Sequence, residues 1–283
     1  MSLTHPSPPA VSGARRVQRA LDAVLVALAA PLCVVAAGWL VRTLDVTSRP
    51  VGPMGSCART SDRSASSRFR ESLGTTILTL IVSYALALVI GGGVGFLLGL
   101  APFWRAVFQP IVQGIYSIPK VTLFPLFLVF LGLGLTSRIA FAFVHGFFPM
   151  VIVLMSATAA LRGSDIYLKL GASLQMRFPQ IIRIIILPAV LPSFIMAARL
   201  AFGLTFMGTI LAEMFSSSGG LGTEIMRSMH SVRIDRILGQ VVVIAVLAII
   251  PNALLKWAEV AAQRRMGGDV SGPASRSSRR GAR

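Results

Sequence analysis

The sequence predicts an all-α polytopic membrane protein. Hydrophobic residues make up 54% of its 283 residues and charged residues only 13%, whereas roughly a quarter of the residues in soluble domains are charged. The apolar residues form long runs, and a helix needs about 20 such residues to cross the hydrocarbon core of a membrane. Within lipid only α-helices and closed β-barrels satisfy their own backbone hydrogen bonds, and runs of this length favour helices. We therefore expect about six transmembrane helices.

The N-terminal part of the chain contains the first predicted transmembrane helix. Residues 1–17 are rich in Pro and Ser and are expected to form a disordered cytoplasmic tail. The helix is predicted within residues 18–41, because the apolar run there is long enough to span the membrane and to stay in place. Residues 42–70 are expected to form a polar loop rich in Ser, Arg and Gly, without regular structure.

Residues 71–260 are expected to hold the other five helices, the first of which covers residues 75–100. Gly91, Gly95 and Gly99 recur every four residues and therefore share one face of this helix. Small residues at that spacing let a neighbouring helix approach closely. A phosphate-binding loop is the alternative, but no Gly-Lys-Ser/Thr sequence follows these glycines.

The third span, residues 107–133, is predicted to break at Ile118-Pro119-Lys120 and again at Pro125. A proline inside a membrane helix leaves a backbone carbonyl free, and that carbonyl needs protein or water neighbours. The break therefore indicates a nearby pathway or a packed interface. A lysine at membrane depth costs about 2.5–3.5 kcal/mol. Lys120 is expected either to face a cavity or to extend its ammonium group to the membrane edge, which is the simpler interpretation.

The remaining spans carry a few polar residues. The fourth, residues 139–161, is predicted to be interrupted at Phe147-Phe148-Pro149. Its His145 is interpreted as a packed, hydrogen-bonded side chain, because no second metal ligand is near in the sequence. Arg199 lies within the fifth span, residues 188–211, and Glu213 lies just beyond it. Both are interpreted as partners of other protein groups or as contacts to a solute.

The end of the chain completes the predicted topology. Pro188 and Pro192 suit the N-terminus of the fifth helix. A sixth span covers residues 237–257. Residues 261–283 are basic and rich in Ser and Gly, and they are expected to form a disordered cytoplasmic tail.

The loop 162–187, between the fourth and fifth spans, is polar and basic, yet its apolar residues recur at helical spacing. The pattern predicts two short amphipathic helices at the membrane face with an elbow near Pro179. Such helices present a ridge on which a soluble partner can dock. An ordinary basic loop held near lipid headgroups is the alternative.

Basic residues set the predicted orientation. With six spans, both termini and the loop 162–187 lie on one side, which carries 15 Lys and Arg residues against 10 on the other. Because cytoplasmic segments are enriched in Lys and Arg, the first side is predicted to be cytoplasmic and the loop 42–70 periplasmic. The net charge of +17 therefore needs no nucleic-acid partner, since the basic residues lie in tails and between apolar runs.

Four stretches in order carry a resemblance to a known family. They are Ile118-Pro119-Lys120 with Leu123-Phe124-Pro125-Leu126 and Gly132-Leu133-Gly134, then Phe147-Phe148-Pro149, then Ile185-Ile186-Leu187-Pro188-Ala189-Val190-Leu191-Pro192, and finally Ala212-Glu213 with Ser218-Gly219-Gly220-Leu221-Gly222. Over roughly residues 70–260 the chain resembles the membrane permease subunit of a bacterial ABC importer, and within that class the nitrate, sulfonate and taurine group. The resemblance implies a multi-pass protein of the bacterial inner membrane.

The cytoplasmic loop of that family carries Glu-Ala-Ala, three residues, Gly, nine residues and Ile-x-Leu-Pro. Counted back from Pro188, this spacing places the family's glycine at Gln175 and its Glu-Ala-Ala triplet at Lys169-Leu170-Gly171. A register that uses Gly171 as the glycine needs four extra residues, so the ungapped register is preferred. Because a lysine replaces the family's acid, the docking contact is expected to involve another residue, such as Asp165.

The resemblance implies a transport subunit with no catalytic or metal site of its own. Its implied partners are a second permease copy, expected as a homodimer, a cytoplasmic ABC ATPase dimer and a periplasmic substrate-binding protein. The chain contains no credible Walker motif, so the expected ATP and magnesium belong to the partner ATPase and this chain binds no cofactor. The residues expected to dock the ATPase are Asp165, Tyr167, Leu168, Lys169, Leu170, Gly171, Ala172, Ser173 and Gln175. Those expected to line the solute pathway are Lys120, Phe124, Phe148 and Arg199.

The resemblance implies a small anionic or organic solute, of the nitrate, sulfonate or taurine kind. Lys120 and Arg199 would make the pathway cationic, which suits an anion. An ion-coupled secondary transporter that acts without an ATPase is the alternative. Buried carboxylates within the spans and an internal repeat would support it, and neither is apparent in the sequence. An intramembrane enzyme is a third possibility, for which no paired acids, metal-ligand cluster or Ser/His pairing is apparent.

Overall fold

The computed structural model describes residues 58–163, 173, 175–216 and 218–265. The described backbone consists of helices and short connecting turns. The helices are α1 (Ala58–Leu86), α2 (Gly92–Leu100), α3 (Pro102–Ser117), α4 (Phe124–Leu131), α5 (Leu135–Gly163), α6 (Phe178–Ile181), α7 (Leu187–Phe215), α8 (Leu221–His230) and α9 (Ile234–Arg265). The predicted first span, residues 18–41, and the tail 1–17 lie outside the described residues, as does most of the tail 261–283.

Four helical runs in the described part of the chain are long and apolar enough to cross a membrane. They are Ser67–Leu100, Leu135–Gly163, Pro179–Phe215 and Arg236–Val260. A fifth candidate is the pair Pro102–Ser117 and Lys120–Leu131, which is bent by 83°. The prediction of an all-α polytopic membrane protein is therefore confirmed. The predicted break at Ile118-Pro119-Lys120 is confirmed as well, because α3 ends at Ser117 and the chain turns there.

Helix α1 begins earlier than the sequence pattern indicated. Residues 58–70 are helical, so the prediction that the loop 42–70 has no regular structure is wrong for its last part. Gly55 is the last glycine or proline before this point, and the Ser- and Arg-rich segment that follows contains no helix breaker until Gly74. The apolar run starts only at Ser67. The start of α1 therefore extends beyond the apolar segment.

The glycine face of the first described span packs closely on α5, as predicted. A π turn at Ala87–Gly91 joins α1 to α2. A Cβ atom on Gly95 would lie 2.8 Å from the carbonyl oxygen of Val151, and one on Gly99 would lie 2.8 Å from that of Met155. Only a residue without a side chain allows the two backbones to approach so closely.

The predicted interruption at Pro149 is wrong, and the fifth span begins earlier than predicted. Helix α5 continues through Pro149, which is buried. Pro188 lies in the first turn of α7, as predicted, and Pro192 lies within α7, but the continuous helical run already begins at Pro179. Proline lacks the N–H that would bond the carbonyl four residues earlier, and the wider π turn at Ile182–Ile186, just before Pro188, accommodates that loss. The break in a helix therefore depends on packing as well as on proline.

Helices α5 and α7 form the centre of the core. They pack along each other and against α1, α2 and α9. Their close approach uses glycine again, since a Cβ atom on Gly208 would lie 2.9 Å from Cγ of His145. The largest fully buried side chains include Tyr84, Phe141 and Phe202. No residue of α3 is buried.

Candidate functional site

The bundle has two ends that differ in the elements that meet there. Helix α5 runs from Leu135 to Gly163 and α7 returns from Leu187 to Phe215, so the loop 162–187 lies at one end, which we call the loop end. The start of α5 and the end of α7 meet at the opposite end, which we call the polar end. There Arg138 Nη1 donates a hydrogen bond of 2.6 Å to the carbonyl oxygen of Gly219.

At the loop end, Ser173 and Gln175 are the two docking candidates within the described residues. The other candidates lie outside them: Asp165, Tyr167, Leu168, Lys169, Leu170, Gly171 and Ala172. Gln175 is exposed and has a φ of 49°, a left-handed conformation that glycine adopts without strain. It is also the position that corresponds to the glycine of the permease family in the ungapped register. Gln175 therefore adopts a backbone conformation that favours glycine.

The segment after Gln175 forms a helical arm rather than a separate amphipathic helix. The N–H of Arg177 donates to Oε1 of Gln180, at 2.8 Å, and α6 begins at the next residue. The helix then continues through the π turn into α7. Ile181 and Ile186 are buried while Arg183 is exposed, so the predicted amphipathic pattern is present. The prediction of a distinct second helix is wrong, because the π turn keeps the chain helical where Pro188 was expected to start a new element.

Lys120 lies at the bend between α3 and α4. Its Nζ donates a hydrogen bond of 3.1 Å to the carbonyl oxygen of Tyr116, in the last turn of α3. The same Nζ lies 3.9 Å from the ring centroid of Tyr116 and 5.9 Å from that of Phe148. The last carbonyls of a helix lack intrahelical partners and carry a partial negative charge, and aromatic faces also attract cations. The bend therefore stabilises Lys120 and brings it close to Phe148, a second pathway candidate.

The other two pathway candidates lie elsewhere. Phe124 is buried, with its ring centroid 4.9 Å from that of Phe141 and 5.8 Å from that of Phe215. It borders a mostly apolar cavity of about 280 Å³ beside Thr122 and α4. Arg199 donates from Nε to Oε2 of Glu259 at 2.7 Å, which links α7 to α9. The four candidates therefore do not form one cluster.

Glu213 is the centre of the polar end, and its contacts were not predicted from the sequence. The residue is fully buried. Its Oε2 accepts hydrogen bonds from Thr76 Oγ1 at 2.9 Å and from the N–H of Gly222 at 3.1 Å. The hydroxyl of Thr76 in turn accepts from the N–H of Leu221, at 2.9 Å. The carboxylate therefore joins α1 to the end of α7 and the start of α8.

The turn before α8 is shaped to fit this carboxylate. Gly219 and Gly220 have φ values of +110° and +111°, which residues other than glycine rarely adopt. A Cβ atom on Gly220 would overlap the carboxylate of Glu213, whereas one on Gly219 would meet no atom within 4 Å. The spacing of Glu213 and the glycines was visible in the sequence, but the contact with Thr76 joins residues 137 positions apart and left no local signal.

His145 is buried and its Nδ1 lies 2.9 Å from the carbonyl oxygen of Phe141, so the prediction of a packed, hydrogen-bonded histidine is confirmed. Among the described residues, no group of three or more His, Cys, Asp or Glu side chains is arranged to hold a metal ion.

Within the residues that the structure describes, four apolar helical runs and one bent pair, packed around α5 and α7, define a polytopic membrane protein. Residues 87–268 match the family described as binding-protein-dependent transport system inner membrane component, and the chain belongs to this family. This confirms the prediction of an ABC importer permease. It rules against the secondary transporter, because the family works with a binding protein.

Individual relatives give the same assignment. The putative aliphatic sulfonates transport permease protein SsuC of Bacillus subtilis is 28% identical over 186 residues, which cover 61% of this chain and 66% of the relative. The taurine transport system permease protein TauC of Escherichia coli is 27% identical over 69% of each chain. The nitrate import permease protein NrtB of Synechococcus elongatus is 28% identical over 54% of this chain and 55% of its own. The match spans about two thirds of the length of the first two relatives.

Proposed function

We propose that this permease conducts a small oxyanion, of the sulfonate, taurine or nitrate kind, across the bacterial inner membrane. The observation that carries the proposal is the family match over residues 87–268, together with relatives named for these three solutes. Each of those solutes carries a group of negatively charged oxygens. A positively charged pathway attracts such groups and raises their local concentration.

We propose that the pathway passes the bend between α3 and α4. Lys120 is the cation there, Phe148 lies beside it, and Phe124 borders the nearby cavity. An approaching oxyanion competes with the carbonyl of Tyr116 for the Lys120 ammonium group, which is partly exposed. Arg199 is retained as a weaker pathway candidate, because its guanidinium group already binds Glu259.

ATP hydrolysis is supplied by a separate ABC ATPase dimer that docks at the loop end. Support comes from Gln175, whose left-handed backbone matches the glycine position of the family's coupling loop. The docking surface comprises Asp165, Tyr167, Leu168, Lys169, Leu170, Gly171, Ala172, Ser173 and Gln175. In this proposal ATP and magnesium bind to the ATPase, this chain binds no cofactor, and the loop end and both termini face the cytoplasm.

The helical arm suggests how closure of the ATPases moves the pathway. The run Pro179–Phe215 is helical without a break from the loop end to Glu213 at the polar end. A displacement of the loop is therefore transmitted to the packed interface between α7 and α5. A second copy of the permease lies across the pathway. Repeated closure and opening of the ATPases then exposes the pathway alternately to the two sides of the membrane. A periplasmic binding protein delivers the solute.

The test is an affinity pull-down of the detergent-solubilised chain, co-expressed with the proteins of its operon, followed by an ATPase assay. The docking variant is Leu170→Asp with Gly171→Asp. The matched control is Leu133→Asp with Gly134→Asp, which changes the same dipeptide at an exposed site outside the loop end. We expect an ATPase to co-purify with the native chain and the control but not with the docking variant. Equal recovery from all three would contradict docking through the loop.

A further inference from the structure

The polar end carries a group of exposed arginines that the transport mechanism described above does not use. Helix α8 lies against the middle of α1, where Ser72 Oγ donates to Oε1 of Glu224 at 3.5 Å. Arg68 lies one helical turn before Ser72 on the same face of α1, and is therefore next to this contact. The five exposed arginines, which we call the arginine rim, are Arg68, Arg70, Arg227, Arg233 and Arg236.

Most of the arginine rim has no acidic partner among the described side chains. Arg227 forms an ion pair with Glu224. The other four arginines form no ion pair with any side chain that the structure describes. Every basic residue of the rim is arginine rather than lysine. The planar guanidinium group binds a carboxylate through two parallel hydrogen bonds, which suits a protein interface.

Neither topology nor lipid binding accounts for the rim. It lies at the end opposite the loop 162–187, and the positive-inside rule disfavours basic residues on that side. An interfacial helix binds lipid by inserting its apolar face. The apolar face of α8 is already buried within the bundle, through Leu221 and Ile225. The exposed Met229 and Val232 lie among the arginines instead, and Met and Arg are enriched in protein interfaces.

The rim is also held rigidly. The Glu213 carboxylate binds the N-terminus of α8, and Thr223 Oγ1 donates to the carbonyl oxygen of Glu213 at 2.7 Å. The Thr76 hydroxyl binds both α8 and Glu213. A surface fixed in this way loses little conformational freedom when a partner binds.

We propose that the arginine rim is the docking surface for an acidic face of the solute-binding protein. This inference rests on the proposed function, in which such a protein delivers the solute at the polar end. Complementary charge accelerates the encounter and fixes the orientation of the two proteins, so the rim acts mainly on the association rate.

The experiment measures binding of the solute-loaded binding protein from the same operon to the complete permease–ATPase complex. The complex is held in phosphatidylcholine nanodiscs, and association is followed by surface plasmon resonance at several salt concentrations. One rim variant is Arg233→Glu with Arg236→Glu, and the other is Arg68→Glu with Arg70→Glu. The control is Arg105→Glu with Lys256→Glu, which reverses two charges near the other end of the bundle. Arg227 is left unchanged because it pairs with Glu224.

We expect each rim variant to weaken binding at low salt by about tenfold or more, mainly through a slower association rate. The dependence of Kd on salt should become shallower, and ATPase co-purification should not change. Unchanged Kd in both rim variants, or an equal loss in the control, overturns the proposal. So does an effect seen only when anionic lipid is added, which would identify the rim as a headgroup site. If the native complex retains its ATPase but binds no binding protein, the partner assignment of the proposed function fails and this inference with it.

Discussion

Helices α5 and α7 and the bent pair α3–α4 are both rich in apolar residues, but they differ in what covers them. Helix α5 buries Phe141 and Met150 among other side chains, and α7 buries Phe202. Helix α3 buries no residue, and α4 buries only Phe124. The described residues therefore supply the packing of the central helices, whereas they leave most of the surface of the bent pair uncovered.

The cause of this difference is the distribution of small residues. Lipid tails are as apolar as leucine, so membrane helices associate through close packing and polar contacts rather than through burial of apolar surface. Gly146 and Gly208 lie where α5 and α7 approach each other, and each would clash with a neighbour if it carried a side chain. Gly114 of α3 has no neighbour within 4 Å. We infer that α5 and α7 determine stability, while the bent pair is available for function.

The largest expected effect is a loss of stability when a buried phenylalanine, rather than an exposed one, is replaced. Phe141 in α5 is 1% exposed and Phe130 in α4 is 76% exposed. Phe141→Ala leaves a cavity in the core and should lower the free energy of unfolding by about 3–5 kcal/mol. Phe130→Ala should change it by less than about 0.5 kcal/mol. Unfolding by titration with SDS in mixed micelles measures both, and similar losses would show that the bent pair is packed as tightly as α5.

Two neighbouring glycines at the polar end give the next largest difference. Gly219→Ala and Gly220→Ala place alanine at nearly the same φ, and each introduces strain of about 1–3 kcal/mol. Only Gly220→Ala also drives a methyl group into the Glu213 carboxylate. The Gly220→Ala variant should therefore be about 1–3 kcal/mol less stable than the Gly219→Ala variant. Thermal unfolding in detergent measures this difference. Equal melting temperatures would mean that Glu213 has room to move.

Lys120 tests whether the bent pair serves transport rather than stability. Lys120→Gln removes the positive charge but keeps a hydrogen-bond donor for the carbonyl of Tyr116. Uptake of the preferred anion by proteoliposomes should fall about tenfold, because a charge-assisted hydrogen bond contributes about 1.5–3 kcal/mol. Lys120→Arg, which keeps the charge, should retain most of the uptake. A fall in the melting temperature without a change in uptake would instead make Lys120 a helix cap.

The smallest expected effect concerns the ion pair between Arg199 and Glu259. The Arg199 side chain is 35% exposed and that of Glu259 11%, so solvent screens part of their attraction. A double-mutant cycle with Arg199→Met and Glu259→Gln should give a coupling energy below about 1 kcal/mol. A coupling of several kcal/mol would place this pair among the main supports of the bundle, together with α5 and α7.

Local pattern was sufficient for the helices and for several details of the site. The length of the apolar runs predicted the spans, the glycine spacing predicted the face that packs on α5, and Pro119 predicted the bend. These features depend on residues within a few turns of one another, and so the sequence contains them.

Only the tertiary structure decided which polar groups meet. Glu213 binds Thr76 from 137 residues away, and Arg199 binds Glu259 from 60 residues away. It also decided that α5 continues through Pro149 and that a π turn keeps the chain helical before Pro188. A charged residue or a proline in an apolar run shows that a side chain or a backbone carbonyl needs a polar partner. The partner itself depends on how whole helices are placed, and that placement is set by close packing across the bundle.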